Sequence, residues 1–141
     1  MKTYTPKAGE IVRAWHLVDA EGKTMGRLAS EVAQLLKGKH KVIYATHLDT
    51  GDFVVVINAA KLNITRKRLE EKFYYRHSGY PHGFRKTALK EYTQTKPTWA
   101  LEEAIKGMLP PNRLGAVMMR KLHIYAGPDH PHQAQLGEKK E

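Results

Sequence analysis

Residues Phe53-Val-Val-Val-Ile57 form an unbroken apolar, mostly β-branched run. A strand with one wet face alternates polar and apolar residues. An uninterrupted run this short therefore predicts a strand covered on both faces, as in the parallel sheets of α/β proteins. Parallel neighbours need a long crossover, and the preceding sequence supplies one. Trp15-His-Leu-Val-Asp19 reads as a short strand ended by the turn residues Ala20-Glu-Gly-Lys23. Thr24 is placed as an N-cap, and Met25, Leu28, Ala29, Val32, Leu35 and Leu36 then make one apolar stripe of a helix running to about Lys37. Gly38 is the stop signal. Strand, helix and buried strand together predict a βαβ unit with a right-handed crossover.

Beyond this unit, Asp49-Thr-Gly-Asp52 reads as a turn, Leu62-Asn-Ile-Thr65 as a further short strand, and Arg66 to Lys72 as a basic turn or a single helical turn. Phe73-Tyr-Tyr-Arg-His77 and Phe84-Arg-Lys-Thr-Ala-Leu89 are expected to pair as an arm around Ser78-Gly-Tyr-Pro-His-Gly83. Pro97 or Thr98 opens a helix with Leu101, Ala104, Ile105 and Met108 on its stripe, and Pro110-Pro111 closes it. Leu114 to Arg120 predicts another helix and Leu122-His-Ile-Tyr125 a last strand. Met108, Leu109, Leu114, Met118 and Leu122 are expected to pack inside. The 141 residues fit one domain, with a basic arm at 61–90 and a polar, loosely held tail at 129–141.

Charge narrows the function. The chain carries 24 Lys and Arg against 14 Asp and Glu, a net charge of +10, which points to a polyanionic partner. Residues 61–90 hold 9 basic and 2 acidic side chains, so most of the excess lies in one short segment rather than over a solvated face. Within it, Arg66, Lys67, Arg68, Lys72, Arg76, Arg85 and Lys86 alternate with Tyr74, Tyr75 and Tyr80, with His77 beside them. Guanidinium groups fork onto phosphates while aromatic faces stack on unpaired bases, the pairing that looped RNA requires. The arm is therefore read as an RNA-contacting element, against the alternative of an amphipathic hairpin that buries its aromatics. Lys37, Lys39 and Lys41 around the helix stop, and Arg120 and Lys121 before the last strand, complete the expected RNA-binding set.

Other chemistries find little support. Gly22-Lys23-Thr24 lies between a strand and a helix, but a phosphate-binding loop needs a glycine where Leu17 stands. His123, His130 and His132 invite a metal site, yet zinc usually recruits cysteine, the chain has none, and Pro131 constrains two of them. Asp49 and Asp52 flank a turn glycine, Glu102 and Glu103 sit in a first helical turn, and neither Ser30 nor Ser78 lies in a nucleophile elbow. No catalytic residue, cofactor, metal or small-molecule substrate is expected. Met1 to Glu10 holds no secretory signal, and the longest apolar run falls far short of the roughly 20 residues of a membrane span, which fits a soluble, cytoplasmic protein.

Several blocks taken in order resemble the bacterial large-subunit ribosomal protein family called L-thirteen. They are Trp15-His-Leu-Val-Asp-Ala20, Gly26-Arg-Leu-Ala29, Gly38-Lys-His-Lys41, Asp49-Thr-Gly-Asp-Phe53, Ile57-Asn-Ala59 and Arg76-His-Ser-Gly-Tyr-Pro81. Gly107-Met-Leu-Pro110, Leu114-Gly115 and Arg120-Lys-Leu-His-Ile-Tyr-Ala-Gly127 follow and are similar to the family's signature region. Met25, Arg66, His82 and Ala116 depart from the family pattern. The resemblance implies a three-layer α/β/α core around a mostly parallel four-stranded sheet. It also implies a structural place in the large subunit, binding of its ribosomal RNA, contacts with neighbouring ribosomal proteins, and a part early in subunit assembly. A nucleotide-dependent enzyme and a regulatory RNA-binding module outside the ribosome are the competing readings.

Overall fold

The computed structural model describes residues 4–137. The βαβ unit forms as the apolar patterning requires, with β1 (Trp15–Asp19), α1 (Met25–Lys37) and β2 (Phe53–Ile57). The chain continues through α2 (Arg66–Glu71), β3 (Phe73–His77), β4 (Phe84–Ala88), α3 (Leu89–Thr95), α4 (Pro97–Met108), α5 (Arg113–Met119), β5 (Leu122–Ile124) and α6 (Gln133–Leu136). Strand order in the main sheet is β1-β2-β5, all parallel, and β3 pairs with β4 as a separate antiparallel hairpin.

The central place of β2 explains its composition. Val54, Val55 and Val56 are fully buried, two facing one side of the sheet and one the other. On the first side Val18, Val54 and Val56 join Leu28, Val32 and Leu36 of α1 and Leu101 and Ile105 of α4 in one core. Each such side chain removed from water contributes about 1.5–3 kcal/mol. On the second side Trp15 stacks on Phe53, ring centroids 4.5 Å apart, and lies 5.2 Å from the ring of His132.

Two glycines set the return from α1 to β2. Gly38 ends α1 at φ 76°, and a side chain there would strike Thr50 at 2.7 Å. A Cβ on Gly51 would lie 1.7 Å from the Leu36 carbonyl oxygen, so the Asp49–Asp52 turn is pressed against the end of α1. Backbone bonding holds it there, the Asp52 N–H donating to Leu35 O at 3.1 Å.

Two expectations are corrected. The sheet has three strands, not four: Leu62–Thr65 makes only a single parallel bridge, Asn63 with Thr24. A chain that pairs at one residue and then turns into α2 has no length over which to build a ladder. Met108 is exposed, because α4 ends there and turns its Leu101–Ile105 stripe inward, while Leu109 and Met118 are buried. Thr24 holds the N-cap position of α1, where the sequence places it, without a side-chain capping bond. Residues 129–137 of the polar tail carry α6 and bring His132 against Trp15, with the Tyr125 hydroxyl 2.9 Å from His132 Nε2. Residues 138–141 lie outside the described residues.

Candidate nucleic-acid interface

The hairpin is built from alternation. Its register sets Tyr75 opposite Lys86 and His77 opposite Phe84 on one face, and Tyr74 opposite Thr87 and Arg76 opposite Arg85 on the other. On the first face Tyr75 and Phe84, both well exposed, stack across the strands with centroids 5.9 Å apart. Lys86 Nζ lies 3.9 Å from the centroid of Phe73. The tip turns through Gly79 and His82, both at positive φ, and exposes Tyr80. On the second face two guanidinium side chains oppose each other directly, an arrangement that costs stability unless an anion lies between or beside them.

The hairpin's root is fixed to the core. Tyr74 meets Trp99 edge to face at 4.8 Å and Tyr92 at 5.6 Å, and those two rings stack at 4.0 Å. The Leu89 N–H donates to Lys72 O at 2.9 Å, tying α3 to the residue before β3. The arm is thus rooted at its base and exposed over Tyr75–His82 and Phe84–Lys86.

The expected RNA-binding residues divide accordingly. Arg66, Lys67, Arg68, Tyr75, Arg76, His77, Tyr80, Arg85 and Lys86 lie exposed on α2 and the hairpin, with Arg66 also paired to Glu70 at 3.2 Å. Lys39 and Arg120 are exposed on other elements, and Lys37 and Lys72 are half-buried, Lys72 Nζ lying 5.0 Å over Tyr74. Tyr74 and Lys121 make contacts within the protein. The ring of Tyr74 is half-buried and packs at right angles to Tyr92 and Trp99. Lys121 is 5% exposed, with its ammonium donating to Leu36 O at 3.3 Å and to Asp49, so it acts inside the protein. Lys41 likewise donates to Val12 O at 2.7 Å and to Asp52.

Those last contacts belong to a polar cluster that the sequence reading passed over as turn chemistry. Asp52 is buried, and its carboxylate collects donors from two separate segments, 14–16 and 40–41. The Ala14 N–H reaches Oδ1 at 2.9 Å, alongside the Lys41 ammonium. His16 Nε2 and His40 Nε2 reach Oδ2 at 2.9 and 3.0 Å. Burial alone would push this carboxyl up. The hydrogen bonds from Lys41, Ala14 N–H and His16 and the charge of Lys41 outweigh it and hold the pKa down at about 2. Asp49 beside it takes Lys121 and, at 3.9 Å, Arg13. Burial pulls the Lys121 ammonium down against the opposing pull of Asp49. One signal for this cluster was legible: His16 stands two residues from inward-facing Val18, on the same side of β1, and Asp52 directly precedes a strand buried on both faces.

A profile of the family described as "Ribosomal protein L13" matches residues 13–131. The chain is 57% identical over 135 residues to the "Large ribosomal subunit protein uL13" of Saccharopolyspora erythraea, covering 96% of this chain and 91% of the relative. It is 54% identical to the protein of the same description from Nitrosococcus oceani, covering 96% and 95%. The like-named protein of Syntrophomonas wolfei is 52% identical over 141 residues, all of this chain and 98% of that one.

Proposed function

The chain belongs to the Ribosomal protein L13 family of the large ribosomal subunit, a structural and not an enzymatic class, and we propose on that premise that it binds large-subunit ribosomal RNA early in subunit assembly. The observation that carries the reading is the hairpin's pairing of Arg76 with Arg85 on one face and the exposed Tyr75–Phe84 stack on the other. Two opposed cations are stabilised by a phosphate, and a rigid aromatic step offers a face to an unpaired base. Arg66, Lys67 and Arg68 on α2 extend the same basic surface, and Lys39 and Arg120 make separate backbone contacts. Neighbouring large-subunit proteins meet the remaining surface in the bacterial cytoplasm. The sheet is read as the middle of three layers, with α1 and α4 on the Val18 side and α6 on the Trp15 side. Among the described residues no helix is long and apolar enough to cross a membrane.

A filter-binding titration against large-subunit RNA tests the proposal. Five or six phosphate contacts give a slope of log K against log salt of about −4 to −5. A slope near zero refutes electrostatic recognition by the arm.

A further inference from the structure

The Asp52 cluster does more than hold a loop: we propose that His16, His40 and Asp52 form a site for one divalent transition-metal cation of the zinc class. The donor atoms of these three side chains all lie within 4.8 Å of one another, the group of this kind among the described residues. They come from β1, from the loop after α1 and from the residue before β2, so a cation here would tie together three segments distant in sequence.

The chemistry of the set suits that class. Two imidazole nitrogens exclude calcium and magnesium, which take oxygen ligands. Two histidines and one carboxylate, with a fourth position for water, form a ligand set that zinc accepts. In a tetrahedral site with bonds of 2.0–2.1 Å the ligand atoms stand about 3.3 Å apart. Here the histidine nitrogens lie 2.9 and 3.0 Å from Asp52 Oδ2 and within 4.8 Å of each other, so binding needs the two imidazoles to move toward one cation by up to about 1.5 Å. His40 can do so, since its side chain is 38% exposed in the loop beyond Gly38, and the same exposure gives the cation a path in. Asp52 is prepared as a ligand by its other oxygen. Lys41 and the Ala14 N–H occupy Oδ1 and aim Oδ2 at the two rings, the orienting role that outer partners play in metal sites. On binding, each neutral imidazole shifts its proton from Nε2 to Nδ1 through solvent, which frees the Nε2 lone pair, and the cation replaces two N–H···O bonds with three coordinate bonds. The ammonium of Lys41 opposes the incoming charge, so the site is weaker than a thiolate site and would fill by exchange with free metal.

The test uses the full chain without RNA, so its result is independent of the RNA reading. Metal-free protein at pH 7.5 is titrated with Co2+, followed by absorption, and then with Zn2+ in competition. One equivalent of Co2+ should give the visible bands of a four-coordinate nitrogen and oxygen site, and Zn2+ should displace it and raise the melting temperature. His40→Gln keeps an N–H donor for Asp52, and so the loop, but removes the imidazole. It should fold normally, bind at least about tenfold more weakly, and lose the thermal shift. His132→Gln, in the other histidine group, should bind as the parent does. Absence of stoichiometric binding at about 100 μM Zn2+, binding that survives His40→Gln, or binding lost in His132→Gln each overturns the proposal.

Discussion

Asp52 accepts from Ala14, His16, His40 and Lys41, so one side chain joins the approach to β1, β1 itself and the loop after α1. Asp52→Asn removes the charge that these donors face and leaves Lys41 without its counter-ion. The variant should lose about 3 kcal/mol in urea unfolding, the range for one partner taken from a buried pair. A loss below about 0.5 kcal/mol would show that the cluster is no more than a surface arrangement. Arg76 and Arg85 make the opposite case. Facing each other across the hairpin, they repel, and Arg85→Gln should leave stability unchanged or raise it by about 0.2–1 kcal/mol while weakening RNA binding. Stability and binding should move in opposite directions, read by thermal melting and filter binding on the same preparation. A variant that is both less stable and fully competent for RNA would show Arg85 to be a packing residue.

At the scale of elements, what periodicity can encode was readable. The stripe of α1, the closed run of β2, the proline-bounded α4 and the β3–β4 pairing all form where the residues place them. The proposed fourth strand did not form, because Leu62–Thr65 has the apolar alternation of a strand but pairs only at Asn63 before α2 begins. The polar cluster stayed hidden for a different reason. Turn aspartates and an isolated histidine have local explanations, and their convergence is created only when Gly38 and Gly51 fold the loop back onto α1. The internal contacts of Tyr74 and Lys121 stayed hidden likewise, since a basic or aromatic letter does not say which way a side chain turns. The hairpin's division into a rooted base and an exposed outer part yields a prediction for the element as a whole. Replacing Arg66, Lys67, Arg68, Arg76, Arg85 and Lys86 by Gln together should leave the melting temperature within a few degrees, as surface substitutions do, while severely reducing RNA binding and incorporation into large subunits on a sucrose gradient. Trp99→Ala, by contrast, removes a ring that Tyr74 and Tyr92 both pack on and should cost about 3–5 kcal/mol. Equal thermal losses in the two variants would mean that the basic surface is itself part of the core.

For the molecule as a whole, the second side of the sheet joins the beginning of the domain to its end. Trp15 of β1, Phe53 of β2, His123 of β5 and His132 before α6 form one layered aromatic group, with His123 and His132 centroids 4.5 Å apart. Burial and then the neighbouring His132 lower the pKa of His123 below its ordinary 6.5. A lowered imidazole pKa in the folded state means that the unfolded chain takes up a proton first. Its contribution to stability is therefore fully present above pH 6.5 and is lost as pH falls through 6.5 toward the folded value. The acid loss from Asp52 sets in lower, between the ordinary 3.8 and about 2, so the two groups act in separate windows. The urea midpoint should hold steady from pH 8 to about 7 and fall by pH 5.5, because imidazole titrates between. His123→Gln should flatten that fall. In a Trp99→Phe background, where Trp15 is the remaining indole, its fluorescence should change over the same interval, since a protonated ring 5.9 Å away alters the indole's surroundings. A midpoint that falls as steeply in His123→Gln as in the parent would assign the pH dependence to another group and leave the aromatic layer a passive contact.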